Sequence, residues 1–407
     1  MLPTRREAFR FWLKLGFISF GGPAGQIAIM HREVVERRGW LDERAFMHAL
    51  NFCMLLPGPE ALQLAIWIGW RLHGTAGGIV AGVCFIVPAM LLLLGLSFAY
   101  ALHGEVPAVA AVLLGLKATV IALIAQALLR LARRALSHPL HWLLAGVAFV
   151  LMVAGLAPFP LILAGAALAG LFVHRGTAAP VAAVPAGFPW RSLAAGVALW
   201  ALPAIAIVAL AGPGSFFAAL YRFFTTAALI TFGGAYAVLA WVTQQAVDVH
   251  GWLSQAQAVA GLALAETTPG PLIIVLQFIG FMAGWNQAGA ADPAATATIA
   301  ALLTSWATFL PSFVFILVGA PYVERLAANL RLAGALAGIT AAVVGVIGSL
   351  AVVFGRNVLF PDGPSAPDWG AIAIAAGALV LLERSRLDVL WVIAAGAAAG
   401  LALGYFA

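Results

Sequence analysis

Long apolar stretches dominate this sequence, for example residues 79–102, 106–129 and 141–156. A helix that crosses a membrane needs about 20 mostly apolar residues. Charged residues make up only 9% of the chain, against roughly 25% in a soluble domain, so lipid must solvate much of the surface. Spans in hydrocarbon are helices or closed barrel strands, and these stretches show no sustained polar/apolar alternation. The sequence therefore predicts an all-α polytopic membrane protein.

Three short motifs occur twice, and the members of each pair are 212 residues apart (232 − 20, 251 − 39 and 269 − 57). They are Phe-Gly-Gly at 20–22 and 232–234, Gly-Trp-Leu at 39–41 and 251–253, and Pro-Gly-Pro at 57–59 and 269–271. Further on, Val87-Pro88 corresponds to Leu310-Pro311 at a separation of 223 (310 − 87), which fits an insertion around Asp292. Such internal repetition predicts two copies of one unit, at 1–175 and 215–407. A Pro- and Ala-rich linker and a connecting span would occupy 176–214.

The positions of the Arg residues indicate how the two copies are oriented. Segment 31–44 carries four Arg, its counterpart in the second copy has none, and no Lys or Arg occurs from 223 to 324. By the positive-inside rule the first segment is cytoplasmic and its counterpart external, and the net charge of +6 reflects orientation rather than a nucleic-acid surface. Related halves of opposed orientation are inverted-topology repeats, which are typical of secondary transporters. The length criterion predicts about six spans per half, roughly twelve in total.

Some of these spans are interrupted by Gly and Pro at corresponding positions of the two halves. Proline removes a backbone donor and disfavours helix in the residue before it, glycine can adopt positive φ, and proline suits the first position of a new helix. A helix that begins inside the membrane presents free N–H groups and a positive dipole end, which attract an anion. The alternative is that the breaks are only kinks. The predicted breaks are Gly21-Gly22, Pro57-Gly58-Pro59, Gly233-Gly234 and Pro269-Gly270-Pro271.

Polar side chains lie close to the Pro-Gly-Pro breaks. Glu60 follows one break directly and Glu266 precedes the other. An ionisable group at membrane depth is costly and points to function, so these acids are candidates for proton coupling, with helix capping as the alternative for Glu60. Thr and Gln side chains could donate to an oxyanion or bridge helices. The candidates are Thr267, Thr268, Gln63 and Gln277.

Lys117 lies in the middle of a predicted span without an acid nearby in the sequence. We expect it to pair with Glu60, with Glu266 or with the substrate. Cys53 and Cys84 have no metal-ligand spacing and are interpreted as small core residues. The eight His form no metalloprotease-type helix pair, so neither a cofactor nor a metal site is predicted and a membrane-embedded enzyme is disfavoured. A passive anion channel stays an open alternative.

The motifs FGGPAGQIAIMHREVVERRGWLDERAF, LLPGPEALQLAIWIGWRLHGT, FGGAYAVL and TTPGPLIIVLQFIGF resemble those of the chromate ion transporter family in its long, two-domain form. The resemblance implies a multi-pass protein of the bacterial inner membrane that exports chromate from the cytoplasm, with sulfate as a chemical lookalike and a homodimer left open. The predicted substrate site comprises the four breaks together with Gln63, Thr267, Thr268, Gln277 and Lys117, with Glu60 and Glu266 for proton coupling.

Overall fold

The computed structural model describes residues 3–173, 187–322, 330–385 and 387–406, and the predicted linker lies largely outside them. The first copy contains α1 (Arg5–Ile18), α2 (Gly22–His31), a π-helical turn π1 (Arg32–Arg37), α3 (Glu43–Leu55), α4 (Glu60–His103), α5 (Pro107–Ala135), α6 (Pro139–Val153) and α7 (Phe159–Val173). Helix α8 (Trp190–Ala211) follows. The second copy contains α9 (Phe216–Leu229), α10 (Ala235–Gln244), π2 (Gln245–Val249), α11 (Gln255–Glu266), a 3₁₀ turn (Leu272–Ile274), α12 (Val275–Asn286), α13 (Pro293–Gly319), a second 3₁₀ turn (Ala320–Tyr322), α14 (Leu330–Leu359), α15 (Trp369–Arg384) and α16 (Val389–Phe406).

The order of elements in the first copy recurs in the second. Helices α1 to α3 with π1 correspond to α9 to α11 with π2, and α5 to α7 correspond to α14 to α16. Helix α4 corresponds to α12 and α13 together, because His73 and Gly74 have non-helical backbone angles and break α4 into two parts. Residues 287–292 separate α12 from α13, where the sequence predicts an insertion. Helix α8 has no counterpart among the helices of the described ranges.

Five helices among the described residues are long and apolar enough to cross a membrane: Glu60–His103, Pro107–Ala135, Trp190–Ala211, Pro293–Tyr322 and Ala333–Leu359. Shorter apolar helices of 10–17 residues lie between and after them. The free thiols of Cys53 and Cys84 are both buried, in keeping with small core residues. The predicted class, an all-α polytopic membrane protein, is confirmed.

The breaks lie where the sequence predicts them, with a shift of one residue at two prolines. Pro59 was expected at the first helical position, but its extended backbone (φ −76°, ψ 106°) makes it the N-cap and α4 begins at Glu60. In α2 the helix already begins at Gly22, which places Pro23 at the second helical position instead of the first. A glycine with positive φ turns the chain ahead of each helix, namely Gly21 before α2 and Gly58 before α4. The residue at which the helix begins therefore depends on this turn as well as on the proline.

The last helices of each copy pack on the other copy. Helices α6 and α7 lie against α14, and their counterparts α15 and α16 lie against α5. Glycines allow the close approach: a Cβ on Gly115 would collide with the backbone of Gly396, and one on Gly338 would collide with that of Ala166. Small residues at helix contacts are typical of membrane bundles, where packing replaces the hydrophobic effect between helices. The two copies are therefore interlocked.

The contacts also give the relative direction of these helices. In the pair α5 and α16, Thr119 meets Gly396 and Ala111 meets Gly404, so the two helices are antiparallel. In the counterpart pair, Gly170 meets Gly334 and Ala166 meets Gly338, so α7 and α14 are antiparallel too. By contrast, Ala145 meets Gly345 and Phe149 meets Gly348, so α6 runs parallel to α14. Helices α6 and α7 therefore run in opposite directions.

Ion pairs organise the basic segment around π1. Arg37 contacts Glu33 at 2.7 Å, and Arg38 contacts Glu33 at 3.5 Å and Glu7 at 3.4 Å. Burial raises the pKa of Glu33, whereas hydrogen bonds and charges from Arg37 and Arg38 lower it. The combined effect of the two Arg residues is larger, so the pKa of Glu33 lies below its ordinary value. Exposed pairs of this kind contribute only about 0–1 kcal/mol each, so they orient the turn more than they stabilise the fold.

The interlocked packing predicts unequal effects of Gly→Ala substitutions. Gly115→Ala and Gly338→Ala should lower the thermal midpoint of the purified protein, because overpacking a tight contact costs about 1–3 kcal/mol. Gly146→Ala in α6 is the matched control, since a Cβ there meets nothing within 4 Å. Equal midpoints for all three variants would contradict the close approach of α5 to α16 and of α7 to α14.

Candidate functional site

The Pro-Gly-Pro breaks of each copy are bonded to the Phe-Gly-Gly region of the other copy. The backbone N–H of Gly58 donates to the carbonyl of Thr231 at 2.8 Å, and the N–H of Gly270 donates to the carbonyl of Ser19 at 2.8 Å. The two bonds are related by the repeat, because both donors and both acceptors are 212 residues apart (270 − 58 and 231 − 19). All four breaks are thereby drawn together at the contact between the two copies.

Glycine is required at these breaks by both conformation and space. Gly58 has a φ of 122° and Gly270 a φ of 99°, which are values that L side chains rarely adopt. A Cβ on Gly58 would lie 2.6 Å from the hydroxyl of Ser312, and one on Gly270 would lie 2.8 Å from Ala89. Ser312 and Ala89 each follow the proline inside α13 and α4. Each break therefore fits against the helix that carries an internal proline in the other copy.

Four helix starts at the breaks have no side-chain cap. The N-cap residue is Gly21 for α2, Pro59 for α4, Gly234 for α10 and Pro271 for the 3₁₀ turn before α12. None of these residues has a side chain that accepts a hydrogen bond from the backbone. Other helix starts are capped by side chains, for example those of Thr4, Asp42, Ser215, Ser254 and Asp292. Free N–H groups and the positive ends of the helix dipoles therefore collect at the breaks.

These four starts surround a small cavity. Its wall includes Pro23, Gly58, Glu60, Gly234, Ala235 and Leu272. Its volume of about 20 Å³ accommodates about one water molecule, so a tetrahedral oxyanion fits only after the breaks move apart. The arrangement offers backbone donors and dipoles, which can stabilise an anion without a fixed cationic side chain.

Gln26 is a site residue that the sequence analysis missed. It is fully buried in the cavity wall. Its amide Nε2 donates to the carbonyl of Gly270 at 2.5 Å and to that of Ser19 at 3.2 Å, so it clamps one of the cross-copy bonds. Its counterpart is Val238 (238 − 26 = 212). A lone amide one turn beyond the Phe-Gly-Gly motif, in an apolar segment, was the available signal.

Gln63, which the sequence analysis singled out, also holds a break. Its Nε2 donates to the carbonyl of Pro57 at 2.7 Å and lies 3.5 Å from the hydroxyl of Ser312. The Oε1 atoms of Gln63 and Gln26 are buried and have no hydrogen-bond partner among the described residues. Both glutamines thus donate to backbone carbonyls through Nε2, and the Oε1 atom of each stays available as a buried acceptor. Such an acceptor can bind a protonated group or a water molecule beside the anion.

The two candidate acids are held differently. Glu60 lines the cavity as the first residue of α4, and its carboxylate makes no hydrogen bond or ion pair with the described part of the chain. Glu266 accepts a hydrogen bond from the hydroxyl of Tyr236 at 2.5 Å and lies outside the cavity wall. The counterparts of Glu60 and Glu266 are Leu272 and Met54 (272 − 60 and 266 − 54). The backbone of the site is repeated, whereas its charge is not.

Four further predicted residues lie outside the cavity wall. The hydroxyls of Thr267 and Thr268 donate to the carbonyls of Leu264 and Ala265 within the last turn of α11. Gln277 donates to the carbonyl of Met90 and accepts from Ser305, which ties α12 to α4 and α13. Lys117 is part-buried in α5, and within the described ranges its ammonium has no ion pair with Glu60 or Glu266. Thr267 and Thr268 adjoin a break in the sequence, but none of these four side chains lines the cavity.

Fold and site together define an all-helical polytopic membrane protein in which four helix starts meet at a cavity between two related units. The chain belongs to the chromate transporter family: the family model, described as Chromate transporter, matches residues 6–171 and again residues 218–401.

Relatives in three bacteria agree with this assignment. The chain is 34% identical to a chromate transport protein of Pseudomonas aeruginosa over 97% of this chain and 91% of the relative. It is 31% identical to a probable chromate transport protein of Synechococcus elongatus, over 87% and 85% of the two chains. It is 28% identical to a chromate transport protein of Cupriavidus metallidurans, over 98% and 93%. The family is one of transporters rather than enzymes. No solved structure matches the chain.

The clamp formed by Gln26 can be tested by substitution. Gln26→Leu should lower the thermal midpoint of the purified protein, because leaving a buried partner without its hydrogen bond costs about 1–3 kcal/mol. Gln287→Leu is the matched control, since Gln287 is exposed and makes one long bond of 3.4 Å to the carbonyl of Gly251. An unchanged midpoint for Gln26→Leu would show that the amide does not hold the break.

Proposed function

We propose that this protein is a secondary transporter of the bacterial inner membrane that exports chromate from the cytoplasm and so confers chromate resistance. The substrate would bind between the Phe-Gly-Gly and Pro-Gly-Pro breaks. The observation that carries this proposal is the convergence of four uncapped helix starts on one cavity between the two copies. Helix N-termini favour anions at membrane depth, and broken helices at the meeting point of repeats are typical transport sites.

We further infer that the units 1–175 and 215–407 have inverted topology. Helix α16 is antiparallel to α5, and α5, α6 and α7 are joined by short connections, so α7 runs in the direction of α5. Its counterpart α16 then runs in the opposite direction. Helix α8 supplies one extra crossing of 22 residues before the second unit. We propose that the short helices on the two sides of a break together make one discontinuous span. With such spans included, we expect roughly twelve spans in all.

We propose that Glu60 couples transport to protons, and its position in the cavity wall supports this role. A carboxylate in the wall of the cavity opposes a dianion and favours a proton in its place. The acceptors left free on Gln26 and Gln63 support a protonated carboxyl nearby, because a protonated carboxyl can donate. Glu266, which accepts a hydrogen bond from Tyr236, is the second candidate.

The choice of substrate is tested by flux in vesicles. Radiolabelled chromate and sulfate uptake into inverted vesicles should be measured with the pH gradient and the membrane potential set separately. The proposal expects chromate uptake driven by one of the two gradients. Selective sulfate uptake would reassign the substrate, since both are tetrahedral dianions. Flux that only follows the anion's own electrochemical gradient, with a matching reversal potential in liposomes, would identify a passive channel.

Inverted topology predicts opposite accessibility of two counterpart positions. Single cysteines at Glu36 and Asp248, which are both exposed, should react with an impermeant thiol reagent from opposite sides of the membrane. The background should lack Cys53 and Cys84. Labelling of both positions from the same side would exclude the inverted arrangement.

The role of Glu60 is tested by removing only its charge. Glu60→Gln should retain chromate exchange at equal pH, because exchange needs no net proton movement, but should lose the dependence of transport on the pH gradient. Glu105→Gln, at an exposed carboxylate between α4 and α5, is the matched control. Full proton-driven transport by Glu60→Gln would show that Glu60 serves only as a capping residue at the start of α4. Glu266 would then be the candidate for proton coupling.

A further inference from the structure

A second polar cavity lies at the far end of α10 from the breaks. It has a volume of about 130 Å³, and its polar lining consists of Thr243, Gln244, Asp248, Gln255 and Ser349. Thr243 and Gln244 belong to the last turn of α10, Asp248 to π2, and Gln255 to the first turn of α11. The anion site does not involve any of these residues.

Oxygen atoms in this cavity lack partners. Thr243 is 2% exposed, and neither its hydroxyl nor the Oε1 atom of Gln255 has a hydrogen-bond partner in the part of the chain that the structure describes. The hydroxyl of Ser349 donates to the carbonyl of Val346 at 2.7 Å, which leaves its lone pairs free to accept. Buried polar atoms without partners cost about 1–3 kcal/mol each, so a ligand that binds to oxygen would be stabilised here.

The first copy shows how the same position is satisfied when a side chain fills it. His31, Glu36 and Glu43 are the counterparts of Thr243, Asp248 and Gln255 (243 − 31, 248 − 36 and 255 − 43 all equal 212). There the ring nitrogens of His31 lie 3.2 Å from Glu36 and 2.7 Å from Glu43.

The second copy replaces this basic side chain with a smaller neutral one. Thr243 stands in the place of His31 and Gln244 in the place of Arg32 (244 − 32). A carboxylate is retained at this position, as Glu36 in the first copy and Asp248 in the second.

We propose that this cavity binds a monovalent hard cation, Na⁺, through the carboxylate of Asp248, the Oε1 of Gln255 and the hydroxyl of Thr243. Oxygen donors suit hard cations. One carboxylate balances one positive charge. The negative end of α10 and π2, which stop at Val249, adds to the attraction. Residues 223–324 contain no Lys or Arg that would compete.

The proposal is tested by the thermal midpoint of the purified full-length protein in detergent. Titration with NaCl against choline chloride, at constant ionic strength, should give a saturable rise with Na⁺ that choline does not reproduce. Asp248→Asn should weaken Na⁺ binding at least about tenfold, which equals 1.4 kcal/mol. Asp362→Asn is the matched control, because Asp362 is an exposed carboxylate in the loop after α14, and it should bind as the wild type does.

Thr243→Val separates a ligand from a merely structural residue. In choline this variant should be as stable as the wild type or more stable, because it removes a buried hydroxyl without a partner. In Na⁺ it should gain less stability than the wild type, and ²²Na⁺ binding should fall in parallel. No Na⁺-specific rise in the wild type would overturn the proposal, as would wild-type Na⁺ binding by both Asp248→Asn and Thr243→Val. The measurement needs no transport, so it is independent of the substrate assigned above.

Discussion

Two backbone hydrogen bonds hold this structure together at its centre: Gly58 to the carbonyl of Thr231, and Gly270 to the carbonyl of Ser19. An unpaired backbone group in hydrocarbon costs several kcal/mol, so a helix broken inside the membrane needs a partner for the freed groups. Each copy finds that partner in the other copy. The swapped packing of α6 and α7 on α14, and of α15 and α16 on α5, then keeps the copies in register. The breaks and the interlocked halves are therefore consequences of one constraint.

A repeated backbone carries unrepeated chemistry. The glycines, prolines, π turns and helix starts recur in both copies. By contrast, Val238, Leu272 and Met54 stand at the positions that correspond to Gln26, Glu60 and Glu266 in the other copy. The backbone supplies a symmetric set of N–H donors that suit an anion. The side chains around these donors differ between the two copies. The same division appears at the ends of α2 and α10, where a His31 cluster in one copy corresponds to a polar cavity in the other.

Much of this was predictable because the repeat and the breaks are written in Gly and Pro, whose backbone effects are local. The class of fold and the breaks at Pro-Gly-Pro follow from the sequence alone, whereas the break of α4 at His73 and Gly74 was not predicted. The exchange of α6 and α7 between copies does not, since it depends on which glycine faces are complementary in space. Nor does the clamp by Gln26, whose partner is 244 residues away. Lys117 illustrates the converse: an isolated cation in an apolar segment suggested the site, but its side chain does not line the cavity.

The central claim is that an oxyanion binds to backbone N–H groups where the four breaks meet. A structure of the protein with bound selenate, located by the anomalous scattering of selenium, tests it most directly. The account predicts selenate density between the starts of α2, α4, α10 and the 3₁₀ turn before α12, within hydrogen-bond distance of their N–H groups. Density at Lys117 or at another cationic side chain, with the breaks unoccupied, would contradict it.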